Sequence, residues 1–303
     1  MRYIFCADPL TPAAPDPAFA AEVAAVERAG GSYDLIHFER LVDDHSPLAA
    51  TRRVRAADPP ELAIYRGWML RPEQYAQLYA ALQNKGLRLI NSPAAYRHCH
   101  YLPDSYPIIA EVTPRSVWLP YDASVTIDQV MALLAPFGDR PVILKDYVKS
   151  RKHEWHEACY IPSASDRRAV ERVVRRFVGL QGTDLNEGLV FREYRSFEPI
   201  GSHRQSGMPL TLEFRCFVLD GSVLATSAYW EEGADSAITP PAALFAPLLA
   251  QVQSRFFTLD IARQMDGTWL VVELGDAQVA GLPEPLDPTL FYARLVERLG
   301  GGD

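Results

Sequence analysis

The 303-residue sequence contains only four cysteines, Cys6, Cys99, Cys159 and Cys216. They are too scattered for a disulfide framework and suit reduced thiols. No apolar run approaches the ~18–20 residues that a membrane span requires. Internal repeats and low-complexity tracts are also absent. Positive charge is in deficit: 38 acidic against 30 basic residues leave a net charge of −8, which disfavours a broad nucleic-acid surface. The opening "MRYIFCADPL" has one arginine and a short β-like run before polar and proline residues, and does not read as a secretory leader. Together these absences point to a cytoplasmic, globular chain without a membrane partner, long enough for two or three domains.

Over the first ninety residues, strands alternate with helices. "RYIFCA", "YDLIHF", "ELAIYRGW" and "LRLI" read as strands, with helical patterns at "FAAEVAAVERAGG" and "RPEQYAQLYAALQNKG". Such alternation implies an open α/β sheet. From Asn91 to Pro120 the periodicity weakens and prolines, tyrosines and histidines accumulate, as in a packed crossing between domains. The remainder reads as α+β. It has the helix "TIDQVMALLAPF", the strand "RPVILKDYV", the strand "EACYI", the helix "SDRRAVERVVRRFVGL" and the strand "GLVFREY". Two hairpins follow, "LTLEFRCFVLDGSVLATSAYW" and "FFTLDIARQMDGTWLVVEL", separated by the helix "PAALFAPLLAQVQ", and "LDPTLFYARLVERLG" closes the chain.

The second hairpin carries unusual charge. If Asp266-Gly267 is a two-residue loop, Gln264 faces Trp269, Ala262 faces Val271 and Asp260 faces Glu273. Carboxylates opposed across an antiparallel pair cost roughly 0.2–1 kcal/mol, and a divalent cation would remove the conflict. Asp276, just past the strand, offers a third oxygen donor. A register shifted by one residue would instead put Asp260 and Glu273 on opposite faces.

Cations are concentrated elsewhere. Lys145 lies inside "VILKDYV", on one face with Ile143 and Tyr147. There it is either a snorkelling edge residue or a fixed cation aimed at a phosphate. "KSRKHEW" places Lys149, Arg151 and Lys152 on a loop, which is either ordinary exposed surface or a cover over phosphates. Glu213 and Arg215 share a face, as a structural ion pair or as a guanidinium poised for an anionic oxygen. Arg66 stands at the carboxyl end of a strand, where open α/β sheets bind ligands. It reads equally well as a cap or as a clamp on a substrate carboxylate. His98, Cys99 and His100 are adjacent and lack a CxxC partner, so a zinc site is not favoured. A core or substrate-lining role suits His100 and Tyr101 better.

In their order along the chain these elements resemble the ATP-grasp superfamily. "YRGWMLRPEQY", "LINSPAAYRHCHYLPDSYP", "VILKDYVKSRKHEW" and "VVELGDAQVAGLP" look like the clade named for two arginines and a lysine. The resemblance covers most of the chain from Ala63 to Leu282. It implies an N-terminal α/β domain (1–92) before a two-subdomain ATP-grasp region with antiparallel sheets (93–303, with subdomains about 120–190 and 191–303). It further implies that ATP and Mg²⁺ are the cofactors. Lys145 would touch the α/β-phosphates, with Lys149, Arg151 and Lys152 closing over them. Glu193, Tyr194 and Arg195, with Glu213 nearby, would hold the nucleotide, and Arg215 would meet the γ-phosphate or an acyl phosphate. Asp260, Glu273 and Asp276 would hold Mg²⁺, and Arg66 would serve the substrate. The implied reaction joins a carboxylate to an amine through an acyl phosphate, acting on an amino acid, a peptide or a protein terminus. A kinase-like reaction and a nucleotide-binding protein without turnover are the alternatives. Two departures stand out. "ELGD" replaces the superfamily's Glu-x-Asn, and no glycine-rich phosphate loop precedes the site.

Overall fold

The computed structural model describes residues 1–233 and 238–300. The N-terminal strands β1 (Arg2–Cys6), β2 (Ser32–Ile36), β3 (Glu61–Arg66) and β4 (Leu87–Leu89) form a parallel sheet in the order β2-β1-β3-β4. Helices α1 (Ala20–Arg28), α2 (Phe38–Val42), α3 (Pro47–Ala50) and α4 (Pro72–Gln83) connect them. This is the α/β unit expected from the alternation.

The crossing segment is more ordered than its weak periodicity suggests. It folds into α5 (Pro93–His100) and α6 (Leu102–Ile109). Pro93 and Pro103 occupy first-turn positions, where a missing N–H is harmless, and the Ser92 hydroxyl caps α5 by accepting from the Ala95 N–H at 3.2 Å.

A second sheet, antiparallel in the order β5-β8-β6-β7, uses β5 (Ser116–Pro120), β6 (Val142–Asp146), β7 (Tyr160–Ile161) and β8 (Gly188–Glu193). Most of "EACYI" departs from the strand expected of it: Trp155–Cys159 forms a π-helical turn, leaving only a two-residue β7. Helices α7 (Ile127–Leu134) and α8 (Arg167–Gln181) cover one face. The Thr126/Gln129 capping box starts α7, and the Asp166 side chain caps α8. The buried stripe Ala169, Val170, Val173, Val174 and Phe177 seats α8, leaving its arginines toward water.

The third sheet runs β12-β11-β13-β14, all antiparallel, from β11 (Glu213–Leu219), β12 (Ser222–Ala228), β13 (Phe256–Arg263) and β14 (Trp269–Asp276). A small ribbon of β9 (Pro199–Ser202) and β10 (Pro209–Thr211) lies beside it. Asp220-Gly221 is the expected two-residue loop, with φ of 48° and 74° at its two positions and Leu219 paired to Ser222. In "PAALFAPLLAQVQ" only Ala246–Leu249, α9, is α-helical.

The last helix, α10 (Pro288–Gly300), returns to pack on α1 of the first sheet. Phe291, Tyr292 and Leu295 join the core of the N-terminal unit, together with Phe217 and Phe256 from the third sheet. That core therefore runs across the boundary read at residue 92. Among the described residues no helix is long and apolar enough to cross a membrane.

Candidate functional site

The second and third sheets face each other across a cleft, and a cavity of about 610 Å³ opens between them. Lys145, Lys149, Ser150 and Lys152 line one side; Arg215, Asp260, Glu273 and Asp276 line the other. A smaller cavity of about 120 Å³ adjoins it, bounded by Trp155, Glu193, Tyr194, Arg195, Met208 and Glu213 among others. Ile143, Lys152, Arg192 and Val272 border both.

The carboxylate pair arises from two irregularities that cancel. The β13–β14 loop is one residue longer than two: Gln264 donates its N–H to the Thr268 carbonyl at 2.7 Å, and Arg263 pairs with Trp269 rather than Gln264 doing so. A β-bulge at Val272 then takes up the extra residue. Ala262 faces Leu270, Ile261 faces Val271, and beyond the bulge Asp260 faces Glu273, as the two-residue loop would have placed it. Arg215 pairs with Asp260 on the next strand, so all three share a face.

Each carboxylate has a cation. Arg215 grips Asp260 with both arms of its fork, at 2.8 and 2.7 Å, and donates to the Gly281 carbonyl at 3.1 Å. Its guanidinium lies 4.8 Å from the Tyr229 ring centroid. Burial acts to lower its pKa, but the Asp260 charge and hydrogen bonds together with Tyr229 and Glu213 outweigh burial and raise it. Lys145, itself buried, reaches from the second sheet to Glu273 on the third. Burial acts to raise the Glu273 pKa, yet Lys145, Lys152 and Arg192 hold it below the usual carboxylate range. Lys152 is water-accessible at the cleft, 5.6 Å above both the Tyr229 and Trp230 rings. Desolvation acts to depress it; Tyr229, Glu213, Glu273 and Asp260 raise it on balance.

Glu213 is 7 % exposed. Burial pushes it up to about 7, with Lys152 opposing, Asp260 adding and Arg215 opposing. Glu193 is paired to Arg140 at 3.0 Å and Arg195 at 3.1 Å, beside the small cavity. Three other site residues lie differently from their expected roles. Arg66 is 1 % exposed and outside the cavity wall. Its guanidinium holds Glu22 at 2.8–3.1 Å and donates to the carbonyls of Ala277 and Ala280, which commits four of its five N–H groups within the protein. Arg151 is also absent from the cavity wall and pairs with Glu154 at 3.2 Å. Asp276 reaches the wall, but it is 1 % exposed and accepts from Asn91 Nδ2 at 2.6 Å and from the Gln278 N–H at 3.0 Å. Burial lifts it to about 6 against those hydrogen bonds.

Two residues that the sequence reading passed over help to build the site. Arg192, opposite Ile143 in the ladder, spans the cleft: it donates to the Val272 carbonyl, to Val271 at 3.1 Å and to Thr113 at 2.6 Å. Burial pulls its pKa down to about 10, and Glu273 opposes. An arginine inside the apolar strand "GLVFREY" was the same kind of signal as Lys145. Asp146 is wholly buried and shapes the basic loop, accepting from the N–H groups of Val148 and Lys149 and from Gln181 and Asn186.

The donor set fits Mg²⁺. That ion is usually held by one or two carboxylates plus substrate phosphates, and Asp260 and Glu273 oppose each other on the cavity face. Gly275 stands where the superfamily places its asparagine, and a Cβ there would meet Thr258 Oγ1 at 2.7 Å. No third side-chain ligand fits at that position, and among the described residues no group of three or more His, Cys, Asp or Glu side chains is placed to hold a metal.

The two facing sheets with a charged cleft are an ATP-grasp fold. Solved structures bear this out. A RimK domain ATP-grasp protein from Sphaerobacter thermophilus matches with a TM-score of 0.57 at 15 % identity, over 98 % of this chain and all of that one. D-alanine–D-alanine ligase from Bacillus anthracis, complexed with ATP, matches with a TM-score of 0.59 at 14 % identity, over 99 % and 95 %. The ATP-grasp ligase PsnB, with minimal precursor, Mg and ADP, matches at 0.53 and 13 %, over 97 % and 98 %. A comparison with curated proteins finds no match. The ATP-grasp domain of R2K clade family 3 matches residues 136–295, just over half of the chain, and the chain belongs to that family. Among these solved neighbours, the D-alanine–D-alanine ligase holds ATP and PsnB holds Mg and ADP.

Proposed function

We propose that the protein is an ATP-dependent carboxylate–amine ligase acting on an amino acid, a peptide or a protein terminus. The observation that carries this reading is a set of two cation–carboxylate pairs at one cavity: Lys145 with Glu273 across the cleft, and Arg215 with Asp260 on the same wall as Glu273. In the proposed reaction a carboxylate oxygen bonds to the γ-phosphorus and ADP leaves. The amine nitrogen then bonds to the acyl carbon, phosphate departs and the amine gives up a proton. The chain's part in the first step is positioning and charge compensation.

Lys145 would contact the α/β-phosphates, with Lys149 and Lys152 closing from the loop that Asp146 shapes. Arg215 would receive the transferring phosphoryl group. Glu193, Tyr194 and Arg195, lining the small cavity with Trp155 and Met208, would hold the base, with Glu213 beside them. Asp260 and Glu273 would hold Mg²⁺, which when bound would neutralise phosphate charge. Asp276 and Arg66 act as buttresses: each fixes backbone beside the cavity. Residues 1–92 form the preceding domain in this scheme and 93–303 the ATP-grasp region.

The test is ADP release from Mg-ATP with and without a pool of amino acids and dipeptides, for the wild type and Glu273→Gln. Stimulation by the pool, lost in the variant, supports the ligase. Nucleotide binding without stimulation favours a kinase-like reaction or a binder without turnover, and retention of full rate in Glu273→Gln refutes the metal assignment.

A further inference from the structure

The large cavity contains a mostly buried histidine whose ring nitrogens have no protein partner among the described residues. His100, the last residue of α5, is 8 % exposed and lines the cavity. Among the described residues no hydrogen-bond partner reaches its ring nitrogens, and they are not sealed in the core. The ring is held rigidly. It stacks on Tyr96 at 4.9 Å and on Tyr101 at 5.6 Å, and Tyr96 stacks on Tyr75 at 4.0 Å. The Tyr96 hydroxyl is tied to the Leu70 carbonyl at 2.7 Å, and that of Tyr75 to the Asn91 carbonyl at 2.8 Å. A rigidly held ring nitrogen that opens to the cavity and has no protein partner is available to a bound ligand as a hydrogen-bond acceptor or donor.

Charge narrows the ligand's chemistry. Burial pushes the imidazole pKa down to about 4, Glu273 opposes, and Lys149 and Lys145 add to the fall, so the ring is neutral. A neutral imidazole is a poor partner for a carboxylate when Arg215 and Lys149 share the cavity. It suits an uncharged N–H. An attacking amine must be unprotonated, and the same burial and cations that keep His100 neutral favour the neutral amine. Met69, Val279, Leu282 and Pro283, all apolar, line the same cavity.

We propose, building on the ligase reading above, that His100 receives the nucleophilic amine by accepting a hydrogen bond from its N–H, and that the amine carries an apolar substituent lying on Met69, Val279, Leu282 and Pro283. His100 orients the nitrogen lone pair toward the activated carboxyl carbon. The N–C bond forms, the acyl C–O bond to phosphate breaks, and the amine's proton leaves with phosphate or to water. His100 need not retain it.

The test separates the two half-reactions. The full-length protein is supplied with Mg-ATP and a pool of amino acids and dipeptides as carboxylates. The nucleophile is either hydroxylamine, which is too small to use the apolar wall, or L-leucine, L-aspartate or L-lysine. Hydroxamate and amide are read by mass spectrometry for the wild type, His100→Phe and His100→Gln. In His100→Phe, amide formation with L-leucine should fall ~tenfold more than hydroxamate formation, through KM for the amine, and His100→Gln should recover part of the loss. The wild type should use L-leucine at least ~tenfold better than L-aspartate or L-lysine. Equal loss of both products, no loss of either, or equal use of the three amines would overturn the proposal. The amine preference is measured on the wild type, so it decides even if a variant misfolds. Absence of hydroxamate from the wild type would instead sink the ligase reading, and this assignment with it.

Discussion

Replacing Arg66 by methionine should cost stability far more than it costs substrate recognition. The guanidinium is enclosed and makes ion-pair contacts at 2.8–3.1 Å with Glu22, which is itself buried. It also satisfies the Ala277 and Ala280 carbonyls and lies 3.3 Å from the Tyr292 hydroxyl. Methionine fills much of the volume but strands the Glu22 charge, and breaking a buried pair from one side costs about 3–5 kcal/mol. The two abandoned carbonyls add about 1–3 kcal/mol each unless water reaches them. Glu22→Leu in the Arg66→Met background removes the stranded charge and should return a large part of the loss. Urea unfolding of the wild type, both single variants and the double variant measures this coupling directly. A cost below about 1 kcal/mol for Arg66→Met, with a raised KM for the carboxylate, would refute the buttress and restore Arg66 to the substrate site.

Asp146→Asn should destabilise the fold by about 1–3 kcal/mol, because its amide nitrogen would face the donors that Asp146 now accepts from; thermal unfolding and KM for ATP, expected to rise, check it. Glu213 titrates near 7 in the fold against an ordinary 4.5. The stability it contributes is therefore whole below pH 4.5 and is lost as pH climbs through about 7. Glu213→Gln should flatten that slope in urea midpoints measured from pH 4.5 to 8, and an unchanged slope would contradict the burial argument.

Much of the fold was legible because periodicity and turn chemistry agreed. The Asp220-Gly221 hairpin and the strand–helix alternation of the first ninety residues are such cases. The Asp260–Glu273 pairing was also foreseen, but for an incomplete reason. A longer loop and a bulge at Val272 offset each other, and neither leaves a mark in local composition. The Glu22 pairing of Arg66 was not legible, because a strand-end arginine looks the same whether it faces a ligand or a glutamate 44 residues earlier in the chain. The hydrogen bond to Asp276 was hidden for a similar reason: Asn91, its partner, comes from far upstream. Helices α5 and α6 were obscured by prolines: Pro93 and Pro103 sit harmlessly in first turns, whereas Pro107 lies inside α6.

The central claim is that a carboxylate is activated by phosphoryl transfer in the cleft between Lys145 and Glu273. Its most direct test uses a pool of amino acids and dipeptides labelled with ¹⁸O in the carboxyl group, Mg-ATP, and ³¹P detection of the released phosphate. The account predicts ADP together with phosphate carrying one ¹⁸O from the acceptor, lost in Glu273→Gln. Nucleotide turnover that releases unlabelled phosphate, or AMP with pyrophosphate, would contradict it.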